Sequence, residues 1–248
     1  MTAFRGVVRI VTFNWPFYAG AVAAVLLTAA AAPSFPAGSW LRFSLTGATA
    51  MAACWVVTSL CASWIVYDRS VLMRGTWIST VLGFRPRSWM VIAAGVDEIT
   101  PALRTAFADS HGRAFDIYDP AVMTEPSIAR ARKWAPANDA ESVDATRLPV
   151  ADRSIEAAVL PLSAHELRTH EGRCGLFREV NRALVADGRV VVAEHLRDVA
   201  NFVAFGPGVL HFHSRRVWLR CFTGAGFAVC DELPITPFVR VFVLGKVL

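Results

Sequence analysis

The sequence predicts a two-helix membrane hairpin followed by an α/β domain, and two observations carry that prediction. Residues 10–41 contain no Asp, Glu, Lys or Arg, and neither do residues 43–67. After Asp68 charged residues return, and short apolar runs alternate with amphipathic stretches. Strands that alternate with helices favour a largely parallel sheet with helices on both faces.

The overall composition agrees with a chain that lies partly in a membrane. Of its 248 residues, 54% are hydrophobic and 18% are charged, and the mean hydropathy is +0.42. The net charge of +5 comes with arginines beside the apolar stretches, namely Arg5 and Arg9 before the first and Arg69, Arg74, Arg85 and Arg87 after the second. This placement indicates attraction to anionic lipid, and nucleic acid is not expected as a partner. The five cysteines include no Cys-x-x-Cys pair and indicate no disulfide framework.

Residues 1–67 are expected to form the hairpin, with helices at about 11–32 and 43–67. A bilayer core of about 30 Å requires roughly 20 apolar residues per helix, and both stretches are long enough. The turn between them contains two prolines and a glycine, Pro33, Pro36 and Gly38. The first stretch also resembles a cleavable signal peptide, in which case the second stretch would span the membrane alone.

The arginine pattern sets the expected topology. Basic residues flank the hairpin at both of its chain ends, whereas Arg42 alone lies near the connecting turn. Cytoplasmic loops carry an excess of Arg and Lys, so we expect a multi-pass protein of the inner, cytoplasmic membrane with both termini inside. Residues 68–88 are expected to be a basic juxtamembrane linker, and the large domain after them faces the cytoplasm.

The large domain, residues 89–248, is expected to begin with a buried strand at Trp89–Ala94 that ends at Gly95. Further strands are predicted at 114–118, 141–143, 155–160, 189–194, 227–229 and 239–244, and helices at 99–110, 127–134, 172–184 and 214–225. In such sheets ligands bind at the carboxyl ends of the strands. Residues that directly follow a strand are therefore the candidates for a functional site.

Four motifs in this domain match a known family. Residues 144–159 read D-A-T-R-L-P-V-A-D-R-S-I-E-A-A-V, and residues 164–167 read A-H-E-L. Residues 177–184 read F-R-E-V-N-R-A-L, and residues 187–192 read D-G-R-V-V-V. In this order and spacing the motifs resemble those of class I S-adenosylmethionine-dependent methyltransferases. The resemblance implies a Rossmann-like methyltransferase sheet over residues 89–248, with S-adenosylmethionine as the cofactor.

The glycine-rich loop departs from the family pattern. The first strand of this family usually ends in D-x-G-x-G-x-G, whereas residues 93–98 here read A-A-G-V-D-E. One glycine, Gly95, remains, and two acids, Asp97 and Glu98, follow it. Either one of these acids binds the cationic amino group of the cofactor in place of the missing upstream acid, or the pocket has changed and no longer binds this cofactor.

The other cofactor contacts are expected at the ends of the second and third strands. A carboxylate after the second strand accepts hydrogen bonds from ribose hydroxyls. Asp119 is the first choice for that role, and Asp116 is the fallback if the strand ends sooner. Asp144, with the backbone of Ala145 beside it, is expected at the adenine.

Histidines supply the candidate chemistry. Methyl transfer requires alignment of acceptor and methyl group, and a hydroxyl acceptor is helped by a base with a pKa near neutral. His165, followed by Glu166, comes directly after the fourth strand and is the first candidate for the base. His211, in the apolar segment 199–213, is a further candidate. The spacing of the histidines is not diagnostic of a metal site, and no metal is expected.

The membrane hairpin and the apolar segment 199–213 both indicate a hydrophobic small molecule as substrate, such as a lipid, quinone, isoprenoid or alkyl-phenolic compound. The alternative is a non-catalytic membrane scaffold with a degenerate methyltransferase fold, which the altered loop favours. The oligomeric state is not indicated by the sequence.

Overall fold

The computed structural model describes residues 4–134 and 139–247. The chain divides into two compact units. The first contains the N-terminal residues as far as Arg69 together with Asp198–Val209. The second contains Ser70–Arg197 together with the residues from Leu210 onward. One short segment from within the large domain therefore belongs to the N-terminal unit.

Two long helices dominate the first unit. The helices that precede the large domain are α1 (Arg5–Phe13), α2 (Trp15–Ala31) and α3 (Trp40–Ser63), and α3 continues as a π-helical turn over Trp64–Arg69. The segments Trp15–Ser34 and Trp40–Arg74, of 20 and 35 residues, are long and apolar enough to cross a membrane. The two apolar helices of the predicted hairpin are therefore present.

The first of these two helices begins later than the sequence predicted. The prediction began at residue 11, but α1 ends at Phe13 and Asn14 separates it from α2. The side-chain amide of Asn14 donates to the carbonyl of Ile10 at 3.0 Å. Pro16 has no backbone N–H with which to continue α1, so the helix restarts instead.

The short helix α8 (Val199–Phe205) is the part of the large domain that belongs to the first unit. The hydroxyl of Thr58 on α3 lies 3.1 and 3.3 Å from the carbonyl oxygens of Val203 and Ala204. The rings of Trp55 and Phe202 meet edge to face, with centroids 5.9 Å apart. Both hydrogen bonding and aromatic packing therefore join α8 to α3.

The second unit is built on a seven-stranded sheet. Its strands are β1 (Ser88–Ala93), β2 (His111–Asp116), β3 (Glu141–Ser142), β4 (Ile155–Pro161), β5 (Leu184–His195), β6 (Phe227–Thr236) and β7 (Val239–Lys246). The order in space is β3-β2-β1-β4-β5-β7-β6, and the first five strands along the chain pair in parallel. β7 pairs antiparallel with both β5 and β6. The predicted α/β sheet is confirmed.

The helices of the second unit are α4 (Thr76–Leu82), α5 (Thr100–Ala106), α6 (Pro126–Trp134), α7 (His170–Ala183) and α9 (Arg215–Gly224). α4 lies in the segment predicted to be a plain linker, and it buries Trp77, Ile78 and Leu82. Regular structure in this unit therefore begins before the first strand.

Both faces of the sheet are covered by apolar side chains. Met90 and Ile92 of β1 belong to the main core cluster, together with Phe177 of α7 and Phe222 of α9. Trp89, which points to the opposite face of the strand, packs against Phe107 after α5 with ring centroids 6.3 Å apart. Because helices cover both faces of the sheet, the ends of the strands are the part left open to a ligand.

Candidate functional site

Four parallel strands end at one edge of the sheet and define the candidate site. β1 ends beside β2, where Ala93 pairs with Asp116, and β4 ends beside β5, where Pro161 pairs with Ala193. Ligands of open α/β sheets bind outside these carboxyl ends. The residues that follow the strands form two groups, which we call the charged cluster (after β4 and β5) and the loop cluster (after β1 and β2).

The charged cluster is centred on His165, which lies in the 3₁₀ turn Ala164–Glu166 after β4. The ring Nδ1 of His165 lies 2.7 Å from Oε2 of Glu194, a fully buried residue of β5. Oε1 of Glu194 accepts hydrogen bonds from the backbone amides of Ala164 and His165 at 3.0 and 3.2 Å. Glu194 therefore fixes both the turn and the ring, and Nε2 of His165 is left facing Oε1 of Glu166 at 3.3 Å.

The neighbouring carboxylates set the protonation state of His165. Burial by itself lowers the pKa of His165, but the charge of Glu194 and the hydrogen bonds with Glu166 and Glu194 outweigh it and raise the pKa to about 10. Burial opposes the ionisation of Glu166, yet its hydrogen bonds with His165 and His211 hold its pKa well below the usual range. At neutral pH the cluster therefore contains an imidazolium next to an ionised Glu166.

His211 joins the charged cluster from the segment that follows α8. Its Nε2 lies 3.9 Å from Oε1 of Glu166, and its Nδ1 lies 3.5 Å from Oε1 of Glu125. Nη1 of Arg168 donates to the carbonyl of His211 at 2.5 Å and lies 3.3 Å from Nδ1. The rings of His165 and His211 meet edge to face with centroids 5.3 Å apart. The structure thus brings together all three residues predicted to be catalytic.

One oxygen of the charged cluster has no hydrogen-bond partner among the described residues. It is Oε2 of Glu166, a residue that is only 9% exposed. Buried polar atoms are nearly always paired, so an unpaired carboxylate oxygen marks a place for a ligand. The backbone just before the turn Ala164–Glu166 is also unusual, since Leu162 has φ of +51°, a value that residues other than glycine rarely adopt. The hydroxyl of Ser163 holds this backbone to β1 by donating to the carbonyl of Ile92 at 2.7 Å.

The loop cluster is organised around Asp116, the last residue of β2. Its Oδ1 accepts hydrogen bonds from the amides of Gly95 and Tyr118 at 3.2 and 3.0 Å. Its Oδ2 pairs with the guanidinium of Arg132 on α6, which also lies over the Tyr118 ring, 4.3 Å from the centroid. Gly95 has φ of +104°, and a Cβ added there would lie 3.3 Å from Cγ of Arg132. Arg132 therefore fills the space beside the remaining glycine of the loop.

Asp97 forms a cap before α5. Its Oδ1 accepts hydrogen bonds from the backbone amides of Ile99 and Thr100, both at 3.0 Å, and so satisfies two amide donors at the start of the helix. Glu98 is half-buried beside Asp97, and its expected contact with the cofactor's amino group stays a prediction.

The remaining predicted cofactor residues lie after β2 and β3. Asp119 is exposed, and its carboxylate accepts a backbone amide two residues further on at 2.8 Å. The structure has the fallback residue, Asp116, at the strand end. Asp144 is exposed, and its carboxylate accepts hydrogen bonds from the amide and hydroxyl of Thr146 at 2.7 and 2.8 Å. These hydrogen bonds lower the pKa of Asp144. Ala145 packs against the main core cluster.

The loop cluster fits S-adenosylmethionine on one condition. Gly95, Asp116 and Asp144 are residues of the type that the loop, the ribose and the adenine require. Arg132, however, holds the oxygen of Asp116 that ribose hydroxyls would need. The side chain of Arg132 is 34% exposed, so it has a path away from Asp116, and it must leave before a ribose can bind there.

No family model matches the sequence, and no curated protein matches it. Solved structures share its fold. A SAM-dependent methyltransferase from Aquifex aeolicus covers 73% of this chain and 94% of its own, with a TM-score of 0.55 and 13% identity. The mitomycin 7-O-methyltransferase MmcR aligns over 100% of this chain and 74% of its own, with a TM-score of 0.58 and 15% identity. The geranyl diphosphate C-methyltransferase from Streptomyces coelicolor A3(2) was solved with Mg²⁺, geranyl diphosphate and S-adenosyl-L-homocysteine. It aligns over 70% of this chain and 78% of its own, with a TM-score of 0.51 and 13% identity.

At these identities the likeness shows the fold alone. This chain contains the fold of S-adenosylmethionine-dependent methyltransferases, as the four sequence motifs predicted.

Two residues that shape the site were not predicted from the sequence. Glu194 was assigned only to the end of a strand, although an acid that closes the apolar run V-V-V-A is an available indication of a buried functional group. Arg132 stands among other basic residues of the predicted helix 127–134, and nothing in the sequence distinguishes it from them.

Proposed function

We propose that the chain is a membrane-anchored enzyme that transfers a methyl group from S-adenosylmethionine to an oxygen of a hydrophobic small molecule. The observation that carries the proposal is the cluster of buried His165 and Glu166 with the half-buried His211 at the carboxyl ends of β4 and β5, in a fold shared with such methyltransferases. A lipid, quinone, isoprenoid or alkyl-phenolic acceptor suits a chain with two apolar helices. The enzyme then lies in the inner membrane, with the methyltransferase fold in the cytoplasm and no role in nucleic-acid binding.

The charged cluster supports a division of roles among its residues. The cofactor supplies an electrophilic methyl group on a positively charged sulfur. When the cofactor is bound, the acceptor oxygen would take this methyl group as the carbon–sulfur bond breaks, and the acceptor's hydroxyl proton would pass to the protein. His165 is already protonated at neutral pH, so the proton goes to the unpaired Oε2 of the ionised Glu166, which its lowered pKa makes a weak base. His165 and Glu194 hold Glu166 in position and exclude water from its buried side.

A specific observation favours a second candidate, the non-catalytic membrane scaffold. The ion pair between Arg132 and Asp116 occupies the carboxylate at the end of β2 and fills the space beside Gly95. In a scaffold this ion pair is a permanent part of the structure. In an enzyme it opens whenever the cofactor binds.

The two candidates are separated by cofactor binding to detergent-purified full-length protein, measured by calorimetry with S-adenosylhomocysteine. For an enzyme, Arg132→Ala binds more tightly than wild type because Asp116 is released, and Asp116→Asn binds more weakly. A hydrogen bond to a charged group is worth roughly 1.5–3 kcal/mol, which corresponds to about one to two decades in affinity.

Lys133→Ala, which removes an exposed cation from the same helix, is the matched control and leaves the affinity unchanged. If the folded wild type and Arg132→Ala both fail to bind, the enzyme proposal is wrong and the scaffold remains.

A further inference from the structure

We infer that His165, Glu166 and His211 form a binding site for a divalent transition-metal ion of the zinc class. One ligand atom from each residue lies within 4.8 Å of the other two. Two imidazoles and one carboxylate are a donor set that zinc uses in catalytic sites. The inference concerns the ion alone and does not depend on methyl transfer.

The distances within the cluster are close to those between the ligands of one coordinated ion. Nε2 of His165 lies 3.3 Å from Oε1 of Glu166, and Nε2 of His211 lies 3.9 Å from the same oxygen. With metal–ligand bonds of about 2.0–2.2 Å in a tetrahedral site, neighbouring ligand atoms are roughly 3.3–3.6 Å apart. The pair at 3.3 Å already has this spacing, and the ligand atoms, which all lie within 4.8 Å of one another, have to approach by at most roughly 1.5 Å to bind one ion.

Glu194 supplies the outer partner that metal-binding histidines require. It lies 2.7 Å from Nδ1 of His165 and is itself held by the amides of Ala164 and His165. An ion that binds must displace the proton from Nε2 of His165, and the carboxylate at Nδ1 then fixes the ring orientation and directs the freed Nε2 lone pair toward the ion. This geometry is already formed in the structure.

An unpaired buried oxygen and the local charge both point to a cation. Oε2 of Glu166 is buried without a hydrogen-bond partner among the described residues, and the side chain of Glu166 is only 11% exposed. Glu166 and Glu194 bring two carboxylates into a buried cluster. Buried charges are normally paired or coordinate metals. When a divalent ion displaces the Nε2 proton of His165, the ion takes over the balance of these two carboxylates.

The surroundings of His211 leave its Nε2 available. Oε1 of Glu125 lies 3.5 Å from Nδ1 of His211 and favours the tautomer with its proton on Nδ1, which leaves the lone pair on Nε2. Arg168 lies 3.3 Å from the same Nδ1, but its shorter hydrogen bond, at 2.5 Å, goes to the carbonyl of His211. The His211 side chain is 27% exposed, which provides the entry path that an ion needs.

Three protein ligands leave a fourth coordination position open. In catalytic zinc sites that position holds water or a substrate oxygen. If the proposed function holds, an acceptor hydroxyl bound there would be both oriented and acidified by the ion, which relieves Glu166 of the proton transfer.

The test uses the full chain, purified in detergent with a tag that contains no histidine, stripped with EDTA and reloaded with Zn²⁺ or Co²⁺. Elemental analysis should find about one ion per chain, and the Co²⁺ form should show the visible absorption of four-coordinate cobalt. His211→Ala and Glu166→Gln lose the ion. His111→Ala, which changes an exposed histidine at the start of β2, retains it. Glu194→Gln weakens the affinity for Zn²⁺ by roughly 10–100-fold.

Two results would overturn the inference: a wild type that retains no ion at micromolar free Zn²⁺, or His211→Ala and Glu166→Gln proteins that bind as much as His111→Ala. The melting temperature of each variant in EDTA is measured first, and His211→Gln replaces His211→Ala if the latter does not fold. No cofactor is present in these assays, so loss of metal binding and loss of S-adenosylhomocysteine binding are separate outcomes.

Discussion

Among single residues, His213 shows how burial and nearby charge fix a protonation state. Burial first, and then the positive charges of Arg173 and Arg168, lower the pKa of His213 to about 3. Its Nε2 lies 2.8 Å from Nη1 of Arg173, so the neutral ring accepts a hydrogen bond there. Nη1 of Arg173 also donates to the carbonyl of Leu167 at 2.6 Å, directly after the turn that carries His165. His213 therefore supports the position of the charged cluster.

This neutral His213 should make the protein sensitive to acid. The unfolded chain binds a proton at His213 near pH 6.5 and the folded chain only near pH 3, so stability falls as the pH is lowered through this interval. His213→Gln keeps a hydrogen-bond acceptor but removes the proton uptake. Its melting temperature in EDTA should therefore fall less than that of the wild type between pH 6.5 and about 4.

The matched control is His111→Gln, at an exposed position, which should follow the wild type. Equal acid sensitivity in wild type and His213→Gln would show that His213 is not held neutral.

At the scale of secondary-structure elements, α5 depends on a cap that the loop supplies. The helix has only seven residues, too few to be stable by itself. Asp97 satisfies the amides of Ile99 and Thr100 before its first turn, and Pro101 at the start of the helix has no amide to satisfy. The acid at position 97 thus has a structural role where the family usually has a glycine.

Replacing Asp97 should therefore act mainly on stability. Asp97→Ala should lower the free energy of unfolding by about 1 kcal/mol, within a range of roughly 0.5–2 kcal/mol, whereas Asp97→Asn keeps the cap and loses little. Glu98→Gln should weaken cofactor binding because it removes the negative charge expected at the cofactor's amino group. Denaturant titration and calorimetry on the same three proteins check both effects. A loss of cofactor affinity in Asp97→Asn at wild-type stability would reverse the two roles.

Local patterning explains which elements could be predicted from the sequence. β1 and β5 are apolar runs that end in a glycine or a charged residue, and both were predicted to within a few residues at their carboxyl ends. α4 was missed because the arginines around it mask the spacing of its three buried side chains. The break at Asn14 was missed because the apolar pattern continues through it.

The site was less predictable because it depends on strand register. His165 and Glu166 could be predicted to lie at the carboxyl ends of the strands because they directly follow a parallel strand. Their pairing with Glu194 could not be found, since it requires the alignment of β4 with β5. The choice of Asp116 over Asp119 at the strand end likewise depends on where β2 stops, which a sequence pattern locates only to a few residues.

At the scale of the whole molecule, the two chain ends of the N-terminal hairpin are held together. In the N-terminal unit, the carboxylate of Asp68 accepts the amides of Gly6 and Val7 at 2.7 and 2.9 Å. The start of α1 and the residues after α3 therefore lie together. A hairpin whose two chain ends meet in this way has both ends on one side of any membrane that it spans.

This arrangement, with the flanking arginines, leads us to expect both ends of the hairpin in the cytoplasm. In a background in which the exposed Cys54, Cys61 and Cys230 are replaced, a thiol introduced at Ser39 should react with an impermeant reagent added outside the cell. A thiol introduced at Ser88 should react only after lysis. Labelling at Ser88 with protection at Ser39 would invert the topology.

The packing of α8 on α3 has a consequence for the timing of synthesis. Thr58 and Val203 are 145 positions apart in the chain, and at about 5–20 residues per second the ribosome needs roughly 7–30 s to make the intervening residues. The hairpin is therefore complete, and has time to enter the bilayer, before α8 leaves the ribosome. A chain shortened to begin at Ser70 would release α8 without its partner, and Phe202 and Val203, already 48% and 55% exposed, would lose their remaining cover. Such a chain should aggregate as it is made, however well its sheet folds.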